Sequence, residues 1–359
     1  IGLRRGWEGP LFIDPADPAS VDAWTIKLDA AAVRVIDRLG GTMLHTSRTD
    51  PANLPPREAP TFLNAAGDMR FDATPHVLRV IQHLSLDALI AIGGDGTLRF
   101  ASRLAKEGVR VISIPKTMDN DVFGTDYAIG FSTAVSRSVE FITALRSTAA
   151  SHERIAVVEL FGRLSGETAL VSGLLSAADR VVIAEVPYDP ARVCDLLVAD
   201  RAANPSGYSI AVISEGARPE GGQVSTYGEA DAYGRKRLGG VGHELAESIR
   251  ERSGLDAIVQ NLAYLMRSGP PDSLDRMAAR CYGTMAVQLL AEGHAGLMCA
   301  VRDGNYTTVP GDTCLKGKRR VGYVGFASGA KEALDVFLED FEAAVRHGAG
   351  DAPLGAPGG

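Results

Sequence analysis

The residues best suited to chemistry lie in one short stretch, Ile114–Val122, which reads IPKTMDNDV. It places an ammonium group, a hydroxyl and two carboxylates within six positions, on Lys116, Thr117, Asp119 and Asp121. Phosphoryl transfer needs a base at the acceptor hydroxyl, charge neutralisation and a metal ion, and these side chains could supply or hold each of them. The alternative interpretation is a polar turn whose Asp and Asn side chains hydrogen-bond the local backbone.

A second candidate segment lies one predicted strand earlier and reads Gly93-Gly94-Asp95-Gly96-Thr97. Glycines let backbone N–H groups approach an anion closely, and a helix N-terminus attracts phosphate. We therefore expect Gly94, Gly96 and Thr97 to bind phosphates, with Thr97 capping the helix. Asp95 is expected to face a Mg²⁺ ion carried by those phosphates. A plain strand-to-helix turn is the alternative, and the same motif also occurs in lipid kinases and NAD kinases.

Buried strands that alternate with helices must position these two segments. The spacing of apolar residues predicts strands at Ala88–Ile92, Arg110–Ile114, Arg154–Leu160, Arg180–Ala184 and Tyr208–Ile213, and helices at Leu98–Glu107 and Thr133–Ala149. Such alternation is typical of a parallel α/β sheet, in which ligands bind at the carboxyl ends of the strands. Both candidate segments directly follow predicted strands, so they fall at that edge.

Composition narrows the class of protein. The 359 residues are enough for about two domains, and 45% hydrophobic with 23% charged residues is typical of a globular chain. A net charge of −7 and only 6% aromatic residues argue against a nucleic-acid partner. The four cysteines form no CxxC pair, so neither a zinc knuckle nor a disulfide framework is expected. Because neither a signal peptide nor a membrane span is evident, we expect no membrane partner and a cytoplasmic location.

The succession of motifs resembles the 6-phosphofructokinase family over roughly residues 1–300. GGDGT followed by PKTMDND is the most specific part of the resemblance. Further matches follow in the family's order: Gly40-Gly41-Thr42 with Ser47-Arg48, Gly130–Ala134 (GFSTA), Ser151–Arg154 (SHER), Glu159–Arg163 (ELFGR), Ser214–Ala217 (SEGA), and Tyr264–Gly269 with Asp275-Arg276.

This resemblance implies a role for each matching residue. Asp119 would be the base at the sugar C1 hydroxyl, Thr117 would orient the reacting groups, and Lys116 and Arg163 would stabilise charge. The residues implied to bind fructose 6-phosphate are Arg154, Phe161, Gly162, Glu215, Tyr264 and Arg267, with Arg154 supplied by a neighbouring subunit. The residues implied to bind the phosphoryl donor are Arg48, Gly94, Gly96 and Thr97, and those implied to hold Mg²⁺ are Asp95 and Asp121.

The choice of donor depends on two positions of the family pattern. ATP users carry glycine where this chain has Gly96, whereas pyrophosphate users carry a second aspartate there. Pyrophosphate users carry lysine where this chain has Lys116, and Tyr264 replaces the family's usual histidine in a way associated with them. The combination resembles a subgroup of ATP users that otherwise look pyrophosphate-dependent, so we favour ATP and keep pyrophosphate as the alternative.

The resemblance further implies two similar parallel-sheet, Rossmann-like domains with the active site in the cleft between them, in a homodimer or homotetramer. We expect a donor domain at residues 1–131 plus about 264–316, a fructose 6-phosphate domain at 132–263 plus about 317–345, and a disordered tail at 346–359. Four departures from the family pattern are present. Phe161 stands where methionine is usual, Tyr264 stands where histidine is usual, and Val259-Gln260-Asn261 stands where an arginine is expected. The fourth is that the sequence starts after the family's first strand and Gly-rich loop, and this one keeps other interpretations open. A non-catalytic sugar-phosphate-binding homologue and a kinase of different sugar specificity therefore remain alternatives.

Overall fold

Two four-stranded sheets form the framework of the chain. The computed structural model describes residues 1–321 except 65, 66, 68, 231, 232 and 235, and residues 1–320 constitute one unit. The strands are β1 (Gly2–Leu3), β2 (Thr25–Ile26), β3 (Leu89–Gly93), β4 (Val111–Pro115), β5 (Ile155–Leu160), β6 (Arg180–Val182), β7 (Ser209–Ser214), β8 (Thr226–Tyr227), β9 (Arg237–Leu238), β10 (Ala257–Asn261), β11 (Leu297–Arg302) and β12 (Asn305–Pro310).

Helices cover the faces of these sheets. They are α1 (Glu8–Phe12), α2 (Pro18–Trp24), α3 (Thr74–His83), α4 (Asp95–Lys106), α5 (Phe131–Ser151), α6 (Glu167–Leu175), α7 (Pro190–Ala203), α8 (Val241–Ser253) and α9 (Ser273–Ala291). Single 3₁₀ turns lie at Ile36–Arg38, Pro51–Asn53, Pro56–Glu58, Thr61–Leu63, Leu265–Arg267 and Gly311–Leu315.

The first sheet has the order β12-β11-β4-β3, and the second has the order β10-β5-β7-β6. All neighbours pair in parallel except β11 with β12. Every residue of β4, β5 and β7 is buried, as expected for parallel strands with helices on both faces. The α/β fold with parallel sheets predicted from sequence is therefore confirmed, and the five predicted strands are present with ends shifted by at most two residues.

The two sheets draw on different parts of the chain. The first takes its strands from residues 89–115 and 297–310, and the second takes its strands from residues 155–261. The division into a donor domain and a fructose 6-phosphate domain, with its boundaries, stays a prediction. The portion of the second domain beyond residue 321, and the tail expected at 346–359, lie outside the described residues.

A buried carboxylate anchors the helix that links the two sheets. Asp275 accepts hydrogen bonds from the Tyr127 hydroxyl at 2.6 Å, the Gly130 N–H at 2.7 Å and the Thr133 N–H at 2.9 Å, and also from the Thr133 hydroxyl. Gly130 has φ +107, a conformation suited to glycine, and its N–H points at this carboxylate. Asp275 thus satisfies free N–H groups at the start of α5 and ties α5 to α9.

We expect Asp275→Asn to lower the free energy of unfolding by about 2–4 kcal/mol, because an amide NH₂ would face N–H donors and the charge-assisted bonds would be lost. Chemical denaturation followed by circular dichroism measures this change. Asp87→Asn, at an exposed carboxyl, is the matched control and should leave stability within about 0.5 kcal/mol of the wild type. Equal stability of the two variants would contradict the anchoring role.

Candidate active site

The predicted site residues come together where strands from both sheets end. Lys116 follows β4, Phe161 follows β5 and Glu215 follows β7, each at the carboxyl end of its strand. The loop after β4 also contacts α6 of the second sheet, since the Thr168 hydroxyl donates to the Met118 carbonyl at 3.3 Å. The two sheets therefore present their ligand-binding edges to the same region.

Asn120 holds the loop that carries the catalytic candidates. Its φ of +49 lies in the left-handed region, which asparagine tolerates better than most residues. Its side-chain oxygen accepts from the Ala128 N–H at 2.8 Å, and its amide donates to the Asp126 carbonyl at 3.1 Å and to Glu167 at 3.2 Å. This role of Asn120 was not predicted, although an asparagine between two aspartates is a signal for such a turn.

Asp119 lies partly buried on this loop. Its own N–H donates to the Thr117 hydroxyl at 3.2 Å, which brings these two predicted residues together. Burial, and then the charge of Asp121, raises the pKa of Asp119 to about 6, while Arg163 and Lys318 act in the opposite direction. A carboxylate with a pKa near the working pH can both accept and release a proton.

Glu215 is fixed against the backbone of the segment that follows β5. Its carboxylate accepts from the Arg163 N–H at 2.8 Å and from the Gly162 N–H at 3.3 Å. Burial raises the pKa of Glu215 to about 7, and the charge of Asp119 contributes in the same direction. A Cβ on Gly162 would lie 2.5 Å from the Ser165 carbonyl oxygen, so the tight loop requires glycine there.

An aromatic pair holds Arg267. Its guanidinium lies 4.3 Å from the ring centre of Tyr264 and 5.8 Å from that of Phe161. The two rings pack edge to face with centres 5.6 Å apart. Phe161 and Tyr264, at which this chain departs from the family's usual residues, thus contact each other and the same arginine. Burial lowers the pKa of the Lys116 ammonium, and the nearby positive charge of Arg267 lowers it further. Lys116 therefore belongs to the same part of the site as Arg267.

The two predicted metal-binding carboxylates also lie together. Lys318 forms ion pairs with both Asp95 and Asp121, the latter at 2.6 Å. The second carboxylate oxygen of Asp95, Oδ1, is buried and accepts no hydrogen bond from the residues that the structure describes. Paired oxygen ligands of this kind fit a hard divalent cation such as Mg²⁺. Lys318 was not expected at this site, since a lysine in the basic run Lys316–Arg320 is usually a solvated surface residue.

The glycine loop corrects one expectation. Helix α4 begins after Gly94, which has no side-chain capping bond, whereas Thr97 lies within the first turn. Thr97 therefore does not cap the helix as predicted; its side chain instead lies against Gly93, where an added Cβ would be 2.4 Å from the Thr97 hydroxyl. Apart from its chain neighbours and the backbone of its own helix, no described residue places an atom within 4 Å of the position that a Cβ on Gly96 would occupy, so this face of the loop is open among the described residues.

One predicted residue, Arg154, lies apart from this group. Arg154 directly precedes β5, whereas Phe161 directly follows it, so the strand separates them by roughly 20 Å. The side chain of Arg154 is exposed and has no hydrogen-bond or ion-pair partner among the described residues. Arg48 is likewise exposed, and the described part of the chain supplies no partner for it.

Solved structures share this fold. Phosphofructokinase from Saccharomyces cerevisiae superposes with a TM-score of 0.68 at 21% identity, covering 96% of this chain and 43% of that chain. A pyrophosphate-dependent phosphofructokinase from Marinobacter aquaeolei superposes with a TM-score of 0.67 at 20% identity, covering 93% of this chain and 81% of that chain. The fold is therefore that of the phosphofructokinases.

Sequence comparison gives the family. A family model described as phosphofructokinase matches residues 1–290. A protein of Chloroflexus aggregans named ATP-dependent 6-phosphofructokinase is 38% identical over 312 residues, which cover 86% of this chain and 80% of that protein. A protein of Streptomyces coelicolor named pyrophosphate–fructose 6-phosphate 1-phosphotransferase is 39% identical over 311 residues, which cover 86% of this chain and 83% of that protein. The chain belongs to the phosphofructokinase family, as its motifs predicted.

In the part of the chain that the structure describes, no helix combines the length and the apolar character needed to cross a membrane.

Proposed function

We propose that this protein is a 6-phosphofructokinase that transfers a phosphoryl group from ATP to the C1 hydroxyl of fructose 6-phosphate, giving fructose 1,6-bisphosphate. The observation that carries the proposal is the setting of Asp119. It is a carboxylate with a pKa of about 6 whose charge interacts with Arg163 and Asp121. This setting suits a general base that takes the proton of an attacking hydroxyl beside groups that stabilise phosphoryl charge.

The residues around Asp119 are proposed to stabilise charge, to position the backbone and to bind the sugar. Lys116 and Arg163 place positive charge beside Asp119, where negative charge develops on the transferring group. Thr117 keeps the Asp119 backbone in place through its hydroxyl. Glu215 holds the backbone after β5 and offers its carboxylate to sugar hydroxyls. A non-catalytic homologue would have no use for a base tuned in this way.

Asp95 and Asp121 would hold Mg²⁺, which supplies charge neutralisation on the donor phosphates. The described residues contain no cluster of three or more His, Cys, Asp or Glu side chains that could hold a metal ion. Two carboxylates completed by phosphate oxygens and water match the way proteins bind Mg²⁺ together with a nucleotide. The ion would therefore arrive with the donor.

ATP is the proposed donor because Gly96 leaves space at the loop. Relatives named for either donor are about equally similar to this chain, so the similarity does not decide between them. Pyrophosphate is the second candidate, favoured by Lys116 and by Tyr264 in place of the family's usual histidine. An open loop surface favours the longer donor, whose α-phosphate and ribose need room.

Arg267 and Arg154 would bind the 6-phosphate from two different subunits. Guanidinium groups match phosphate oxygens, and the aromatic pair orients Arg267 for this contact. Arg154 is too far along β5 to serve the site of its own chain, so its proposed role requires a homodimer or homotetramer. Arg48 would reach the donor, within a donor domain built on the first sheet. A cytoplasmic location accords with this activity.

Asp119→Asn should lower kcat by at least about 10²-fold, because an amide cannot accept the proton. The KM for fructose 6-phosphate should change little. In the wild type, kcat should fall as the pH drops through about 6, since protonation of Asp119 removes the base. Steady-state assays between pH 5 and 8 measure both effects. A variant that retains more than roughly half of its activity would rule out the assigned role.

Arg154→Ala and Arg267→Ala should each raise the KM for fructose 6-phosphate by about 10- to 150-fold, because a charge-assisted contact is lost. The KM for the donor should stay within about twofold, and equal effects on both substrates would indicate general damage instead.

Subunit mixing separates the two arginines. At a fructose 6-phosphate concentration well below the wild-type KM, dimers reassembled from Arg154→Ala and Asp119→Asn chains should regain about a quarter of wild-type activity, because half of them are hybrids with one intact site of two. A mixture of Arg267→Ala with Arg154→Ala chains should regain the same fraction, because the Arg154→Ala chain of each hybrid keeps its own Arg267 and receives Arg154 from its partner. A mixture of Arg267→Ala with Asp119→Asn should regain none if each site takes both groups from one chain. No recovery in the first mixture would show that Arg154 does not act across an interface.

Gly96→Asp should weaken ATP strongly and spare pyrophosphate, because the new carboxylate would project into the open space where a longer donor must lie. Like charges about 4 Å apart repel by roughly 1 kcal/mol in water and more at a lower effective dielectric. Assays of the parent and the variant with both donors measure the effect, and Gly96→Ala controls for lost backbone freedom. A parent that uses pyrophosphate alone would overturn the proposed donor while leaving the sugar kinase reaction intact.

A further inference from the structure

Lys318 occupies an unusual position at the proposed donor site. It contacts the two carboxylates proposed to hold the metal, Asp95 and Asp121, and no other carboxylate of the described chain. A single positive charge thus lies between two negative ones at the position where a divalent cation would neutralise both. The charge of Lys318 also reaches Asp119.

The backbone around Lys318 is held independently of its ammonium group. Lys318 pairs with Val122 across a single antiparallel bridge. The next residue, Arg319, donates its N–H to the Asp121 carbonyl at 2.9 Å and its guanidinium to the Asn120 carbonyl at 3.2 Å, and it forms an ion pair with Glu167. The segment would therefore stay docked on the loop even when the Lys318 side chain has no carboxylate partner.

We propose that Lys318 is a tethered cation that neutralises Asp95 and Asp121 in the donor-free protein and yields its place to the donor-bound divalent ion. This inference rests on the metal site proposed above. A divalent ion attracts the carboxylate pair more strongly than an ammonium does, but it must first displace that ammonium. Phosphate oxygens that arrive with the metal provide a new partner for the displaced ammonium, whereas a free metal ion provides none.

The arrangement makes Lys318 a positioning residue that couples metal binding to donor binding. Without it, the two carboxylates would face each other with their charge uncompensated, and free metal ions would bind to them more readily. A purely structural role for Lys318 predicts the opposite, since loosening the loop would separate the carboxylates and weaken metal binding. The sign of the change therefore distinguishes the two roles.

Mn²⁺ titration of the donor-free protein, followed by electron paramagnetic resonance of the free ion, tests this proposal without any assay of activity. Lys318→Met should bind Mn²⁺ at least about 10-fold more tightly than the wild type, because no ammonium has to be displaced. Lys318→Arg keeps the charge and should bind Mn²⁺ like the wild type. Lys316→Met removes an exposed lysine two positions away and is the matched control, with no change expected.

Adding Asp95→Asn to Lys318→Met should abolish the gain, which locates the ion at this carboxylate pair. Lys318→Gln provides a second charge-free variant should the methionine variant fold poorly, as judged by circular dichroism. Unchanged or weaker Mn²⁺ binding by the folded charge-free variant overturns the proposal. Failure of the sugar kinase assay alone would affect the proposed function and not this result, since no substrate is present in the titration.

Discussion

The site depends on one constraint: several carboxylates are buried close together at the junction of the two sheets. Asp95, Asp119 and Glu215 all have pKa values raised first by burial, and Asp121 adds a fourth carboxylate beside them. Such charges are unfavourable unless cations or N–H groups compensate them. The structure supplies Lys318 for one pair of carboxylates and backbone N–H groups for Glu215. A metal ion bound at Asp95 and Asp121 would neutralise these two carboxylates in the same way.

A second set of polar contacts keeps that charge in place. Asn120 bonds the backbone of its own loop and the helix α6, while Asp275 bonds the start of α5. Glu159, buried within β5, accepts from the N–H groups of Gly240 and Gly242 and thereby holds the start of α8. Each of these side chains is committed to the backbone, so the catalytic candidates project from a framework with little freedom to move.

Arg267 shows how two departures from the family pattern become a single physical feature. Considered separately along the sequence, Phe161 and Tyr264 are isolated exchanges in motifs about a hundred residues apart. In the fold their rings pack edge to face and both lie beside the Arg267 guanidinium. Replacing smaller or more polar groups by two aromatic rings provides a surface on which a planar cation stacks. The pair therefore orients the arginine proposed to bind the sugar phosphate.

The sequence alone determined the buried strands, the loops that follow them and the types of side chain that those loops carry, because apolar periodicity and residue type are local properties. It also identified the family, since PKTMDND after GGDGT is specific. Only the tertiary structure decided which distant residues meet. Lys318 lies nearly two hundred positions from Asp121 along the chain, and no local pattern distinguishes it from a surface lysine. Contacts of this kind follow from strand order and helix packing, which depend on the whole chain folding at once.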